Sequence, residues 1–189
     1  DIAVDPLEGT NFVANNLPNS FSMMAATEQN NLFFAPDTYM EKIAIGSNLP
    51  KNLVDLDNST EENISLLADA KGGKPSDLTV CVLERSRHNK IISSLKKMNV
   101  KLKLISDGDV SGIINVVDNN SPVDMYMGVG GGPEGVLAAA ALSCYGGQIQ
   151  TRLVLNSEEI VRAKKMGITD LKKKYNIEDM IKGDVMFCA

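Results

Sequence analysis

Leu78-Thr79-Val80-Cys81-Val82-Leu83, followed by Glu84-Arg85-Ser86-Arg87-His88 and a run to Met98, decides the fold of this 189-residue chain. Six nearly apolar residues read as a strand. A helix is predicted next, from about His88 to Met98, with Ile91, Ile92 and Leu95 on one face. The unit then recurs with short loops. Lys101 to Ser106 reads as a strand and Val110 to Val117 as a helix. Asp124 to Val129 reads as a strand that passes through Gly130-Gly131-Gly132 into an alanine-rich helix from Pro133 to Tyr145. Strands alternating with helices imply a parallel, layered α/β sheet, doubly wound or sandwiched. Downstream, Ile149 to Leu155 reads as a strand, Glu158 to Met166 as a helix and Val185 to Cys188 as a final strand.

Upstream the pattern is strand-rich. Ile2-Ala3-Val4 opens a strand, and Ser20 to Thr27 is expected to pair with Leu32 to Phe34 across Gln29-Asn30-Asn31. Ser59 and Glu62 stand at capping-box spacing before Ile64, Leu66 and Leu67, so a helix is predicted over Ser59 to Asp69, ended by Gly72. Gly72-Gly73-Lys74-Pro75 is the expected domain junction, dividing residues 1–73 from an α/β domain over residues 74–189.

Composition narrows the function. With 43% apolar residues the chain can bury a core, and 24 acids against 19 bases give a net charge of -5. A nucleic-acid partner is not expected from that balance. No apolar run approaches the ~18 residues of a membrane span, so a soluble, cytoplasmic protein is expected. Cys81, Cys144 and Cys188 lack C-x-x-C spacing and read as buried thiols rather than a disulfide framework or zinc site. Because Asp1 lies directly inside a strand, the chain is expected to be a piece of a longer polypeptide.

In a parallel sheet, ligands bind beyond the carboxyl ends of the strands. The first such loop carries Arg85, Arg87 and His88 at a helix start, where cations and free N–H groups favour phosphate; a solvated charge cluster is the alternative. The second is Asp107-Gly108-Asp109. One aspartate there serves as a helix cap and the second is free to hold sugar hydroxyls. The third contains Gly130, Gly132 and Gly135, a formal G-x-G-x-x-G match. A dinucleotide is nonetheless not expected: Glu134 in the first helical turn would repel a pyrophosphate, whereas a carboxylate there suits a cation. Close packing of the glycines is the alternative.

The run Asp5-Pro6-Leu7-Glu8-Gly9-Thr10 sets two carboxylates around a bend and adds a hydroxyl. This composition suits Mg²⁺ or Mn²⁺ beside a positioned water, or else an acidic turn capping a helix at Thr10. Together with the three loops it points to metal-assisted hydrolysis of a phosphorylated polyol. No paired serine or cysteine accompanies His88.

These residues also carry a resemblance. Asp5 to Thr10 resembles the metal motif of the lithium-sensitive sugar and inositol phosphatases. Ala35-Pro36-Asp37-Thr38-Tyr39-Met40-Glu41-Lys42, Leu83 to His88, Ile105 to Val110 and Gly130 to Val136 resemble the class II, GlpX-type fructose-1,6-bisphosphatases. The resemblance covers almost the whole chain. It implies a layered αβαβα sandwich of the sugar-phosphatase type, divalent metal dependence, a homo-oligomer (dimer or tetramer), and removal of the 1-phosphate of fructose 1,6-bisphosphate in gluconeogenesis. It further implies Asp5, Glu8 and Glu134 as metal ligands. Glu8, Gly9 and Thr10 would lie against substrate, with Thr10 positioning the water, while Tyr39, Arg85, Ser86, Arg87, Asp107, Gly108, Asp109 and Gly131 would contact the sugar and its retained phosphate. Alternatives are the same chemistry on sedoheptulose 1,7-bisphosphate, or a non-catalytic sugar-phosphate-binding fragment. An inositol monophosphatase fits the first motif but not Arg85, Arg87 or the Tyr39 segment. Two positions depart from the family pattern: Ser86 stands where proline is usual and Gly132 replaces a small side chain. The acids upstream of the opening strand are missing, so residues 1–189 alone are expected to be inactive.

Overall fold

The strand Thr79–Leu83 is buried along its whole length, which requires cover on both faces, and the surrounding layers follow from that demand. The computed structural model describes residues 1–189. Its elements run β1 (Ile2–Glu8), α1 (Thr10–Ala14), β2 (Phe21–Thr27), β3 (Tyr39–Ile45), α2 (Thr60–Ala70), β4 (Thr79–Leu83), α3 (Asn89–Lys97) and β5 (Lys101–Ile105). They continue through α4 (Asp109–Ile114), β6 (Met125–Gly131), α5 (Gly132–Tyr145), β7 (Gln148–Val154), α6 (Ser157–Lys165), β8 (Lys174–Tyr175), α7 (Ile177–Met180) and β9 (Val185–Cys188).

Six strands form one sheet in the order β5-β4-β6-β3-β7-β8, and β1-β2-β9 form a second. Val80 and Val82 share one face of the larger sheet with Ile43, Ile45, Met125 and Met127, and Ile64, Leu67 and Ala68 of α2 and Leu95 of α3 cover it. The opposite face, with Met40, Ala44, Cys81 and Tyr126, packs on Val110 and Ile113 of α4 and on α5. Fully burying a side chain such as Ile64 or Leu67 contributes roughly 1.5–3 kcal/mol. Helix α5 is apolar all round because it is sandwiched: β3, β6 and β7 lie on one side and β1, β2 and β9 on the other. Ala138, Ala139, Ala140 and Ala141 are each 0% exposed, their small size allowing both sheets to approach. Four layers result, helix, sheet, helix and sheet, in a mixed α/β fold. The outer face of the small sheet leaves Ile2, Val4, Met24 and Met186 in solvent.

Four expectations are corrected. The large sheet is mixed rather than parallel, because β3 enters antiparallel between β6 and β7. Ser20 to Thr27 does not pair with Leu32 to Phe34: β2 lies between β1 and β9, and Leu32 bridges Ile181 instead. The Gly72–Pro75 turn does not separate two sheets, since β3 and α2 upstream of it belong to the same layers as β4 to β7; Gly72, at φ 67, simply ends α2. Of the three cysteines only Cys81 is buried.

The α2 capping box forms as read. Glu62 N–H donates to Ser59 Oγ (3.1 Å) and Ser59 N–H to Glu62 Oε2 (2.7 Å). Ser59→Ala removes one of these bonds at an exposed helix end, and urea unfolding should show a loss of about 1 kcal/mol.

Candidate functional site

The carboxyl ends of β4, β5 and β6 share one edge of the large sheet with the start of β3, where Tyr39 pairs with Gly131. A cavity of about 320 Å³ opens at that edge. Asp5, Glu8, Gly9, Thr10, Tyr39, Arg85, Arg87, Asp107, Gly108, Asp109, Gly131 and Glu134 all line it, together with Leu7, Leu83 and Gly130. Ser86 does not. It begins a short 3₁₀ turn between Arg85 and Asn89 and stands outside the lining.

The Asp5 to Glu8 bend is a bulge in an edge strand. Asp5 pairs with Met23 but Glu8 with Phe21, so one extra residue is accommodated and the local side chains are re-aimed. Pro6 is tolerated there because β1 is an edge strand. The acidic turn does not cap α1: Gly9 is its N-cap residue, in the left-handed region at φ 77, and makes no side-chain cap. Glu8 caps a different helix. Val110 N–H donates to its Oε1, and Ser111 N–H to its Oε2 at 3.1 Å. The expectation that an aspartate caps α4 is therefore corrected. Asp107 Oδ2 instead accepts from Asn11 N–H (2.9 Å), with Arg85 Nη2 3.7 Å from its Oδ1, while Asp109 pairs with Lys42. Asp107 thus joins the opening motif to the arginine loop.

His88 is not a cation of the phosphate loop. It is 0% exposed, with Nδ1 2.7 Å from the Leu83 carbonyl and Nε2 accepting from Val129 N–H at 2.8 Å. That second bond requires an unprotonated Nε2, so Nδ1 carries the proton and donates to Leu83. Burial lowers its pKa, favouring the neutral ring. The ring ties the end of β4 to β6. Beside it, Arg87 Nε and Nη2 donate to the Val129 carbonyl at 3.0 and 2.8 Å, and the guanidinium lies 4.9 Å from the centre of the half-exposed Tyr39 ring. Arg87 is held in place before any ligand arrives.

The glycine-rich segment packs as closely as its second reading allowed. A Cβ on Gly130 would stand 1.9 Å from Asp109 Oδ2, one on Gly131 2.0 Å from Glu134 Oε2, and one on Gly135 2.5 Å from Met40 Sδ. These glycines, which lie in β6 and the first turn of α5 rather than in the expected loop, make room for the side chains packed against them.

Negative charge is in excess around the cavity. Burial, with Asp109 and Asp5 adding to it, pushes the Glu8 carboxyl up to about 7, against the pull of the Val110 and Ser111 N–H groups. Burial also raises Glu134, again helped by Asp109 and Asp5 and opposed by its own backbone N–H and by Lys42. A divalent cation would offset this repulsion. No three His, Cys, Asp or Glu side chains stand close enough to enclose a metal by themselves. Asp5, Glu8 and Glu134 line the same cavity but do not by themselves form a metal cluster.

Lys42 was missed from the sequence. It sits 1% exposed in mid-strand, its ammonium close to Gly130 of the neighbouring strand β6. Its signal was parity: Lys42 shares alternation with Met40 and Ala44, so it had to face the core.

Carboxylates and arginines thus share one edge cavity of a layered, mixed α/β fold. The chain belongs to the glpX-encoded bacterial fructose-1,6-bisphosphatase family, whose model matches residues 1–189. It is 37% identical over 203 residues to the D-fructose 1,6-bisphosphatase class 2/sedoheptulose 1,7-bisphosphatase of Microcystis aeruginosa, an alignment covering 100% of this chain and 59% of that protein. The protein of the same name from Synechocystis sp. gives the same identity and coverage. Another from Synechococcus sp. is 38% identical over 204 residues, covering 100% of this chain and 58% of that one. The chain thus spans under two thirds of the length of these relatives.

Proposed function

We propose that the protein carrying this chain is a metal-dependent phosphatase that converts fructose 1,6-bisphosphate to fructose 6-phosphate and phosphate. The observation that carries this reading is one cavity lined by both kinds of group: Arg85 and Arg87 on the β4 loop, and Asp5, Glu8 and Glu134. The arginines suit a phosphate that is kept, the carboxylates and a cation the phosphate that is removed. The family supports the same chemistry.

Arg85 and Arg87 grip the retained phosphate, with the Tyr39 ring beside the Arg87 guanidinium. Asp107 and Asp109 accept from sugar hydroxyls, with the Gly108 and Gly131 backbones close enough to let the ring approach. Glu8, Gly9 and Thr10 lie against the departing phosphate, and the Thr10 hydroxyl orients the attacking water. Asp5, Glu8 and Glu134 would hold Mg²⁺ or Mn²⁺. Such a cation, when bound, offsets charge on the phosphoryl oxygens and acidifies water. A homo-oligomer acting in gluconeogenesis in the cytoplasm completes this reading; no helix is long and apolar enough to cross a membrane.

The double name of the relatives favours a second substrate, sedoheptulose 1,7-bisphosphate, gripped by the same groups. Phosphate release with Mn²⁺ should be measured on both bisphosphates for residues 1–189 and for the full-length protein. Full-length protein should turn over fructose 1,6-bisphosphate while residues 1–189 stay inactive. Absence of turnover by the full-length protein on either sugar would refute the function. Robust turnover by residues 1–189 would refute the view that the metal site needs further acids.

A further inference from the structure

Lys42 occupies the middle of β3 with its side chain 0% exposed, and its ammonium donates to Asp109 Oδ2. Asp109 is itself 7% exposed. Two glycines leave space for the pair: a Cβ on Gly130 would lie 3.2 Å from Lys42 Nζ, and one on Gly135 3.3 Å from Lys42 Cε. Buried ion pairs are weak sources of stability, since well-packed apolar residues of similar volume do as well or better. The placement calls for another account, and the cavity supplies one. Asp109 lines the cavity and Lys42 does not. With Oδ2 tied to the Lys42 ammonium, the Asp109 carboxylate is held in one orientation at the cavity wall.

We propose that Lys42 is a positioning residue: it acts through Asp109, fixing the carboxylate that accepts a hydroxyl of the bound sugar phosphate, and never touches the ligand. This rests on the cavity being the sugar-phosphate site. A rotating carboxylate would lose orientational freedom on binding, and Lys42 removes that cost beforehand. Asp109 makes no helix cap, so the ion pair is its only polar anchor in the structure.

The test is calorimetric titration of full-length protein with fructose 6-phosphate in the presence of Mn²⁺, for wild type, Lys42→Met, Asp109→Asn and the double variant. Each single substitution should weaken binding about tenfold or more, the worth of a hydrogen bond to a charged group. The double variant should bind no more than about twofold more weakly than Asp109→Asn, as coupled residues do. Should Lys42→Met fail to fold, the double variant, which removes both charges, still decides by comparison with Asp109→Asn. A further tenfold loss in that background, or an unchanged affinity in Lys42→Met, overturns the proposal. No binding by wild type overturns the sugar-phosphate reading and this inference with it, whereas binding with independent, additive losses overturns the inference alone.

Discussion

Gly130→Ala should weaken fructose 6-phosphate binding by about a hundredfold or more and cost about 3–5 kcal/mol of stability. The added Cβ would stand 1.9 Å from Asp109 Oδ2 and 2.8 Å from its Cγ, separations no atoms tolerate. The backbone cannot retreat, because Gly130 pairs with Met40 inside the six-stranded sheet. Asp109 must swing away and leave the Lys42 ammonium buried without its partner, and breaking a buried pair from one side costs about 3–5 kcal/mol. Gly128→Ala is the control on the same face of the same strand. Its Cβ would meet Tyr126 Oη at 3.3 Å and His88 at 3.4 Å, which small shifts relieve. Its stability loss should be less than half as large. Urea unfolding and calorimetry on the two variants check both points. Equal losses at the two positions would show that the strand, not the ion pair, limits the site.

That pair also marks where the sequence stops being readable. The segments after β4, β5 and β6 were legible because each follows a short strand, apolar in β4 and β6 and alternating in β5, so local pattern brought Arg85, Asp107 and Glu134 to one edge. Strand β3 was not, for Glu41 and Lys42 interrupt its apolar run. Their partners explain them, but lie far along the chain: Glu41 Oε2 accepts from Arg152 Nε and Nη2 at 3.1 and 2.9 Å, and Lys42 pairs with Asp109. A charge satisfied from a distant strand or helix looks locally like a charge in a loop. The same holds for Glu8, which lies 102 residues from the Val110 N–H it accepts. Its carboxylate chemistry was legible in Asp5 to Thr10, its task as the cap of α4 was not. His88 misled for a related reason: its neighbours in sequence are cations, but its neighbours in space are a carbonyl and an N–H.

Glu8→Gln should make the protein more stable than wild type at pH 8, by about 2 kcal/mol, and slightly less stable below pH 5. The Glu8 carboxyl is raised from 4.5 to about 7. A carboxyl raised on folding contributes most when protonated, so its contribution is complete below pH 4.5 and is lost as pH rises through about 7. At ~1.4 kcal/mol per pH unit, the interval between the two values amounts to about 3 kcal/mol. Glutamine removes that penalty but returns part of the gain. Its amide oxygen can accept from only one of the Val110 and Ser111 N–H groups in the present geometry, and the lost bond costs about 1 kcal/mol. The two stability curves should therefore cross between pH 5 and 7, in urea titrations made without divalent cations. Mn²⁺ gives an independent readout: on the proposed role of Glu8 as a ligand, the cation should stabilise wild type at pH 8 and do so far less in Glu8→Gln. Parallel pH curves would mean that Glu8 does not titrate in this window. Equal stabilisation of both proteins by Mn²⁺ would remove Glu8 from the metal ligands and leave it as the cap of α4.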